Sequence, residues 1–322
     1  MNSVLEIRGL QIGLRQDPAA LIVNGLDLSI GRGEVVALVG ESGSGKTMTA
    51  FSILNLLPAA ARVIGGSIRL GETDVLSLPP SGLRSLRGRK AAIVFQEPMT
   101  SLNPLMPIGR QIAEMIHTHE TLPAAEVQKR VVNLLELVRM PDARRRVNDY
   151  PHNLSGGLRQ RVMIAMALAC NPDLLIADEP TTALDVTIQA QILKLLLELR
   201  DRSGMAVLLI THDLGVVSEV ADRVAVMYGG QIVELADVET LFRNPRHPYT
   251  NGLLACLPEV GGASMSRLQE VPGLPPRPGE IVRGCPFAPR CPSVQTLCRE
   301  TAPPFTPLGD TVVSCHFPQG TP

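Results

Sequence analysis

Residues 40–47 read GESGSGKT, which fits the spacing G-x-x-x-x-G-K-[ST] from Gly40 to Thr47. That pattern has the chemistry of a phosphate cradle. Gly40, Gly43 and Gly45 let the backbone curl with its N–H groups turned inward, and Glu41, Ser42 and Ser44 complete the loop. Lys46 would reach the β- and γ-phosphates of a nucleotide, and the Thr47 hydroxyl would hold Mg²⁺. A chance glycine-rich turn is the alternative, but a random chain of this size matches the pattern at on the order of 1%. Two further groups of residues could do chemistry. LLIADEP ends an apolar run in Asp178 and Glu179, and SGG at Ser155, Gly156 and Gly157 opens a helical pattern. Asp178 is placed to hold Mg²⁺ through water, and Glu179 can orient or deprotonate an attacking water. The alternative for two adjacent acids is a solvated strand end. The helix tip at Ser155 is a second anion site of the same physical kind, or an ordinary N-cap.

These residues need elements to hold them. VVALVG is a short apolar strand ending in the glycine loop, and TMTAFSILNLL, from Thr47 to Leu57, has helical spacing with Met48, Phe51, Ser52 and Leu56 near one face. Strand, loop and helix in that order put an anion at a helix N-terminus. LEIRGLQI and LIVNGLDLSIGRGE look like antiparallel strands, residues 66–76 suggest a hairpin, and AAIVFQ is a buried strand ending at Gln96. From Thr100 to Tyr150 the pattern turns helical, with Val127, Val131, Leu134, Leu135 and Val138 on one stripe. TIQAQILKLLLELRDRSG is amphipathic through Ile188, Ile192, Leu195, Leu196 and Leu199, and stops at Gly204. AVLLITH is another buried strand, and VAVMYGGQIVE is a hairpin turning on Gly229 and Gly230. Strands alternating with helices predict an α/β fold with a largely parallel central sheet.

The bulk properties narrow the function. The 322 residues allow two domains, and the net charge of −1 gives no basic field for nucleic acid. Aromatics are 3% with no Trp, so a base-stacking platform is not expected. No run of about 18 apolar residues occurs, and MNSVLEIRGLQI lacks the pattern of an export signal. Prolines become dense from Pro245, which places a domain boundary near Thr250 to Gly261 and an irregular, loop-rich appendix after it.

Five stretches taken in order, VFQEPMTSLNP, LSGGLRQR, LLIADEP, ALD and ITHD, resemble the ATP-binding subunits of ABC transporters. VFQEPMTSLNP, YPHNLSGGLRQRVMIAMAL and the cysteine tail look most like the oligopeptide/dipeptide (peptide/nickel) importer ATPases. The fold implied is a P-loop NTPase of the ABC type, with an antiparallel β subdomain and a helical insert at about 98–158. On this reading residues 1–255 form the ATP-binding domain and 256–322 a Pro/Cys-rich extension. The resemblance makes Gln96 a ligand of Mg²⁺ and of the lytic water, puts His212 against the γ-phosphate and assigns Asp185 to the nucleotide site. It implies a head-to-tail dimer, in which Ser155, Gly156 and Gly157 of one chain clamp the ATP held in the other chain's loop. Implied partners are two integral-membrane permease subunits, docked through the helical insert and the groove near Gln96, and a second, related ATPase. A solute-binding protein would act indirectly, and the chain would sit peripherally on the cytoplasmic face of the bacterial inner membrane. Two positions depart from the family: Leu158 follows SGG in place of Gln or Met, and no aromatic precedes Phe51 to stack on adenine. By alignment that slot falls near Leu14, beside Arg15, so weak base selectivity is expected.

Cys285, Cys291, Cys298 and Cys315 follow the spacing C-x5-C-x6-C, then sixteen residues to the last. Thiols at this density in a cytosolic chain suit ligands better than disulfides. Four thiolates without C-x2-C pairs suit a [4Fe–4S] cluster, as the resemblance to importer tails also implies. Zinc, with His316 as a spare ligand, and no metal are the other readings. The function expected is ATP hydrolysis that energises peptide import. The alternatives are the same machine carrying nickel or another small solute, or a soluble ABC ATPase outside transport.

Overall fold

Short apolar, β-branched runs bounded by polar residues form strands buried along their length. Val35–Val39, Leu174–Asp178 and Ala206–Thr211 are buried at every position, as strands covered on both faces must be. The structure is a computed structural model that describes residues 3–182, 184–257, 271–277, 280 and 283–320. Ala183 of the ALD stretch, and 258–261 of the expected boundary, lie outside the described residues. The chain divides into two units. One comprises Met1–Leu5, Ile30–Glu34 and Leu70–Leu208; the other comprises Glu6–Ser29, Val35–Arg69 and Leu209–Pro322.

In the first unit Ala91–Val94 runs parallel to Leu174–Asp178, with Ala91 opposite Leu174 and Val94 opposite Ala177. The polar ends of both strands, Gln96 and Glu179, therefore leave the pair on the same side. Helices Ile108–His119, Ala124–Leu137 and Gly156–Ala167 pack on one another. The expected stripe Val127, Val131, Leu134, Leu135 and Val138 is buried throughout. Val147 crosses over Gly109 so closely that a Cβ there would lie 2.2 Å from its Cγ2. Buried Gln111 ties down the preceding loop. Its Oε1 accepts the Asn103 N–H (2.9 Å), and its Nε2 donates to the carbonyls of Asn103 (3.0 Å) and Met106 (2.8 Å). Helix Val186–Ser203 buries Ile192, Leu195, Leu196 and Leu199 and ends at Gly204, whose φ of 68° supplies the left-handed cap.

In the second unit Val35–Val39 runs parallel to Arg223–Tyr228, which turns through Gly229 and Gly230 into antiparallel Gln231–Asp237. Both glycines have positive φ, 54° and 82°, as the two-residue hairpin requires. The tail departs from expectation. Thr311–Val313 pairs antiparallel with Gln231–Asp237, and Thr306–Leu308 pairs with Thr311–Val313. The tail thus extends the sheet. Three-residue strands carry too little alternation to be read from TPLGDTVV, and Pro307 is tolerated in this short outer strand. Leu21–Gly31, Ser3–Leu14 and Ala61–Leu70 lie side by side in that order, the last beginning earlier than the hairpin expected over 66–76.

The helix after the glycine loop is shorter than its spacing suggests. It runs Lys46–Ile53 and stops because Asn55 takes a left-handed conformation, φ 50°. Its buried face is Thr49, Ala50, Ser52 and Ile53, whereas Met48, Phe51 and Leu56 are half-buried. The apolar spacing misled because the inward face accepts small and hydroxyl side chains that bond to their own helix. Thr49 Oγ1 donates to the Gly45 carbonyl (3.1 Å) and Ser52 Oγ to that of Thr49 (2.7 Å).

Candidate functional site

The phosphate loop lies in the second unit, between strand Val35–Val39 and helix Lys46–Ile53. Gly40, Gly43 and Gly45 have φ of 150°, 81° and 104°. A Cβ on Gly40 would sit 2.1 Å from the Met227 carbonyl oxygen, so nothing larger fits without moving that strand. Lys46 is buried and folds back over the loop. Its Nζ donates to the carbonyls of Gly40 (2.7 Å) and Glu41 (2.9 Å) and to Ser44 Oγ (3.4 Å). These are bonds an arriving phosphate can replace. Thr47, at the helix tip, is exposed, as are Ser42 and Gly43. His212 is also exposed, just past the buried strand Ala206–Thr211. The turn presenting it is fixed by Asp213, which accepts the N–H groups of Gly215 (2.9 Å) and Val216 (3.2 Å) and donates its own to Thr211 Oγ1 (3.0 Å).

Leu14 is half-buried at the end of its strand and donates its N–H to the Ala20 carbonyl (3.2 Å). Arg15 is exposed and donates its N–H to the Ala60 carbonyl (2.8 Å). A leucine offers an adenine ring apolar contact and no π-face. Competition binding should find GTP within about fivefold of ATP. A strong preference for ATP would count against Leu14 as the base contact.

The first unit carries the carboxylates. Asp178 is buried at the end of its strand. Glu179 follows with φ 46°, a left-handed conformation that costs a non-glycine residue of order 1 kcal/mol or more. The backbone reversal turns its carboxylate toward the neighbouring strand end. Glu179 Oε2 accepts from Gln96 Nε2 at 2.7 Å and from Thr182 Oγ1 at 2.9 Å. Gln96 and Glu179 are thus one hydrogen-bonded pair, which the sequence did not reveal. Ser155 is the N-cap residue of helix Gly156–Ala167, in an extended conformation and with no side-chain cap bond. Gly157 lies under Ile188, whose Cγ2 would be 2.6 Å from a Cβ. Asp185 is the N-cap of helix Val186–Ser203 and accepts the Ile188 N–H at 3.0 Å. Its observed bond therefore fixes the helix that packs against the SGG turn.

The four tail cysteines gather in the second unit. Cys285, Cys291, Cys298 and Cys315 line one small cavity with His247 and His316. The Cys285 N–H donates to the Cys298 carbonyl at 2.7 Å, closing the loop between them. Burial pushes the thiols of Cys285, Cys291 and Cys315 up, the last to about 11. Loading a metal group would therefore release protons. Burial pushes His247 down to about 3, and the neutral ring accepts the Tyr249 N–H on Nδ1 at 3.0 Å. Among the described residues no three His, Cys, Asp or Glu side chains converge as a single ion needs. A four-iron cube holds its thiolates further apart than one zinc ion does. The structure thus brings the four sulfurs around one small cavity, the donor set that either thiolate-bound group would use.

Comparison with known proteins agrees with this geometry. Residues 23–182 match the ABC transporter family model, and residues 233–298 match that of the oligopeptide/dipeptide transporter C-terminal region. The oligopeptide transport ATP-binding protein AppD of Bacillus subtilis is 48% identical over 305 residues, covering 94% of this chain and 93% of its own. A probable peptide ABC transporter ATP-binding protein, y4tR of Sinorhizobium fredii, is 49% identical over 302 residues, covering 93% and 90%. Among solved structures, the dimeric post-hydrolysis ATP-binding cassette MJ0796, bound to ADP and Pi, superposes with a TM-score of 0.64. It is 27% identical and covers 73% of this chain and 98% of its own. With the glycine loop, the carboxylate pair and the SGG helix tip in place, and with relatives matched along nearly their whole length, the chain belongs to the ABC transporter ATP-binding subunits, the ATPase cassettes that carry the oligopeptide/dipeptide C-terminal region.

Proposed function

We propose that this ATPase energises import of di- and oligopeptides through a membrane transporter. The observation that carries the reading is the match of residues 233–298 to the oligopeptide/dipeptide C-terminal region, together with relatives named for peptide transport. The phosphate loop, Gly40 to Thr47, binds the triphosphate, with Lys46 exchanging loop carbonyls for phosphate oxygens. Thr47, Asp178 and Gln96 would hold Mg²⁺, which neutralises charge on the phosphates. Glu179, oriented by Gln96 and Thr182, takes the proton of the attacking water, and His212 contacts the γ-phosphate. Ser155, Gly156 and Gly157 close on the ATP of a second subunit, a related but different chain. The dimeric form of the cassette MJ0796 supports the pairing of two cassettes. Hydrolysis lets the two subunits part, and that opening is transmitted to the permeases.

The chain works as a peripheral subunit on the cytoplasmic face of the inner membrane, bound to two permease subunits and served by a solute-binding protein. Among the described residues no helix is long and apolar enough to cross a membrane. Residues 1–255 form the cassette, with its helical part at about 98–158, and 256–322 form the extension. Cys285, Cys291, Cys298 and Cys315 hold a [4Fe–4S] cluster that staples the extension and takes no part in hydrolysis. Purification from detergent extracts should bring down two hydrophobic permeases. After reconstitution, a peptide-loaded receptor should stimulate phosphate release several-fold. Stimulation by a nickel-loaded receptor and not by peptide would reassign the cargo.

A further inference from the structure

Tyr228 and Tyr249, two of the chain's three tyrosines, lie with Arg290 between the cysteine cavity and the phosphate loop. Arg290 closes the short 3₁₀ turn Ala288–Arg290, immediately before Cys291. Its side chain is 4% exposed. Nη1 and Nη2 donate to Glu41 Oε2 (2.8 Å) and Oε1 (3.0 Å), a two-point grip on one carboxylate. The remaining donors reach the Tyr228 hydroxyl (3.3 Å), the Val271 carbonyl (2.9 Å) and the Pro272 carbonyl (2.8 Å). Every N–H of the guanidinium is thereby used. Burial alone would pull its pKa down. The bonds to Glu41 and Tyr228 more than offset this, and the group stays charged.

Glu41 is the residue after Gly40 in the loop, and it is held at three points. Arg290 holds its carboxylate, the Tyr249 hydroxyl accepts its N–H (2.9 Å), and its carbonyl accepts from Lys46 Nζ (2.9 Å). Tyr228, Tyr249 and Phe287 pack with ring centroids 4.6 to 5.4 Å apart and wall this network off from the cysteines. A Cβ added to Gly273, at φ 84°, would lie 3.3 Å from the Arg290 Cγ, so this stretch of backbone passes close beside the arginine. A surface ion pair would be a weak constraint. This one is bidentate, with a buried guanidinium whose donors are all used and a carboxylate 24% exposed, so it constrains the loop more than a surface pair would.

We propose that Arg290 is a positioning residue for ATP binding: by fixing Glu41 it sets the shape of the phosphate loop, and it makes nucleotide affinity depend on the cysteine-bearing turn that carries it. The inference rests on the ATP-binding reading of the loop and is independent of which group the cysteines hold.

The test uses the full chain for nucleotide binding and the assembled transporter for hydrolysis. Arg290→Lys keeps the charge but loses the fork, and should raise the Kd for MgATP and the KM about tenfold. Turnover at saturating ATP should stay within about twofold, because no catalytic group is touched. Glu41→Gln should raise the Kd for MgATP to a similar extent, and the double variant should bind little worse than either single one, since both break the same ion pair. Metal content of Arg290→Lys should match wild type, and its unfolding midpoint should fall only modestly, from the lost bonds to Val271 and Pro272, a fall that Glu41→Gln should not share. Wild-type affinity in Arg290→Lys and in Glu41→Gln would overturn the proposal. So would losses of turnover and of folding in step, which would make the pair a fold staple. If Arg290→Ala does not fold, the two milder variants still decide. A wild-type chain that binds no ATP would instead sink the ATPase reading itself.

Discussion

Glu179→Gln is expected to lower ATP turnover by about a hundred- to ten-thousand-fold while leaving nucleotide binding intact. The replacement amide keeps an oxygen for Gln96 Nε2 and Thr182 Oγ1, which now donate to Glu179 Oε2 at 2.7 and 2.9 Å. The left-handed backbone at that position asks no more of Gln than of Glu. What disappears is the capacity to take a proton from water. ATP should then hold two subunits together, because the event that releases them no longer occurs. Phosphate release measures the first effect, and light scattering with MgATP, using the chain and its companion ATPase, measures the second. A variant that hydrolyses ATP at the wild-type rate would remove Glu179 from the catalytic role.

The second large effect belongs to the cysteines. Protein purified without oxygen should be brown and contain about four iron and four sulfide per chain. Cys298→Ser replaces a buried sulfur with a harder oxygen, and affinity for the cluster should fall by about a hundredfold or more. The loop closed by the Cys285 N–H on the Cys298 carbonyl then loses its inner support, so the unfolding midpoint should fall as well. Iron and sulfide assays with a thermal melt check both outcomes. Colourless wild-type protein carrying stoichiometric zinc would show that the cavity closes around a single ion.

Much of this site was legible before any coordinates. Gly40 to Thr47 has one workable backbone path, and the structure follows it with three positive φ angles. Gly229 and Gly230 announced a hairpin because few other residues take those conformations. Long helices with a single apolar stripe, such as Ala124–Leu137, were legible for the same reason: one period repeats over several turns. The misses share a cause. Helix Lys46–Ile53 packs through Thr49 and Ala50, residues that a search for apolar spacing passes over, and of the expected face only Ser52 is buried. The tail strands gain their conformation from pairing with Gln231–Asp237, so nothing within TPLGDTVV announces them. Arg290 and Glu41 meet across 249 positions, and no local pattern marks either as the partner of the other. Sequence periodicity reports what a segment does alone, and it is silent on contacts that only the closed fold creates.

The strand Thr311–Val313, which pairs with Gln231–Asp237, has a consequence for biosynthesis. A growing polypeptide completes Gln231–Asp237 well before its neighbour leaves the ribosome. Until then that border shows unpaired amides and carbonyls to any other chain with a free edge. Rapid translation of the tail, or a chaperone at that border, would guard the nascent protein. A premature stop after Asp237 would yield a product prone to clumping even though its entire phosphate loop had been made.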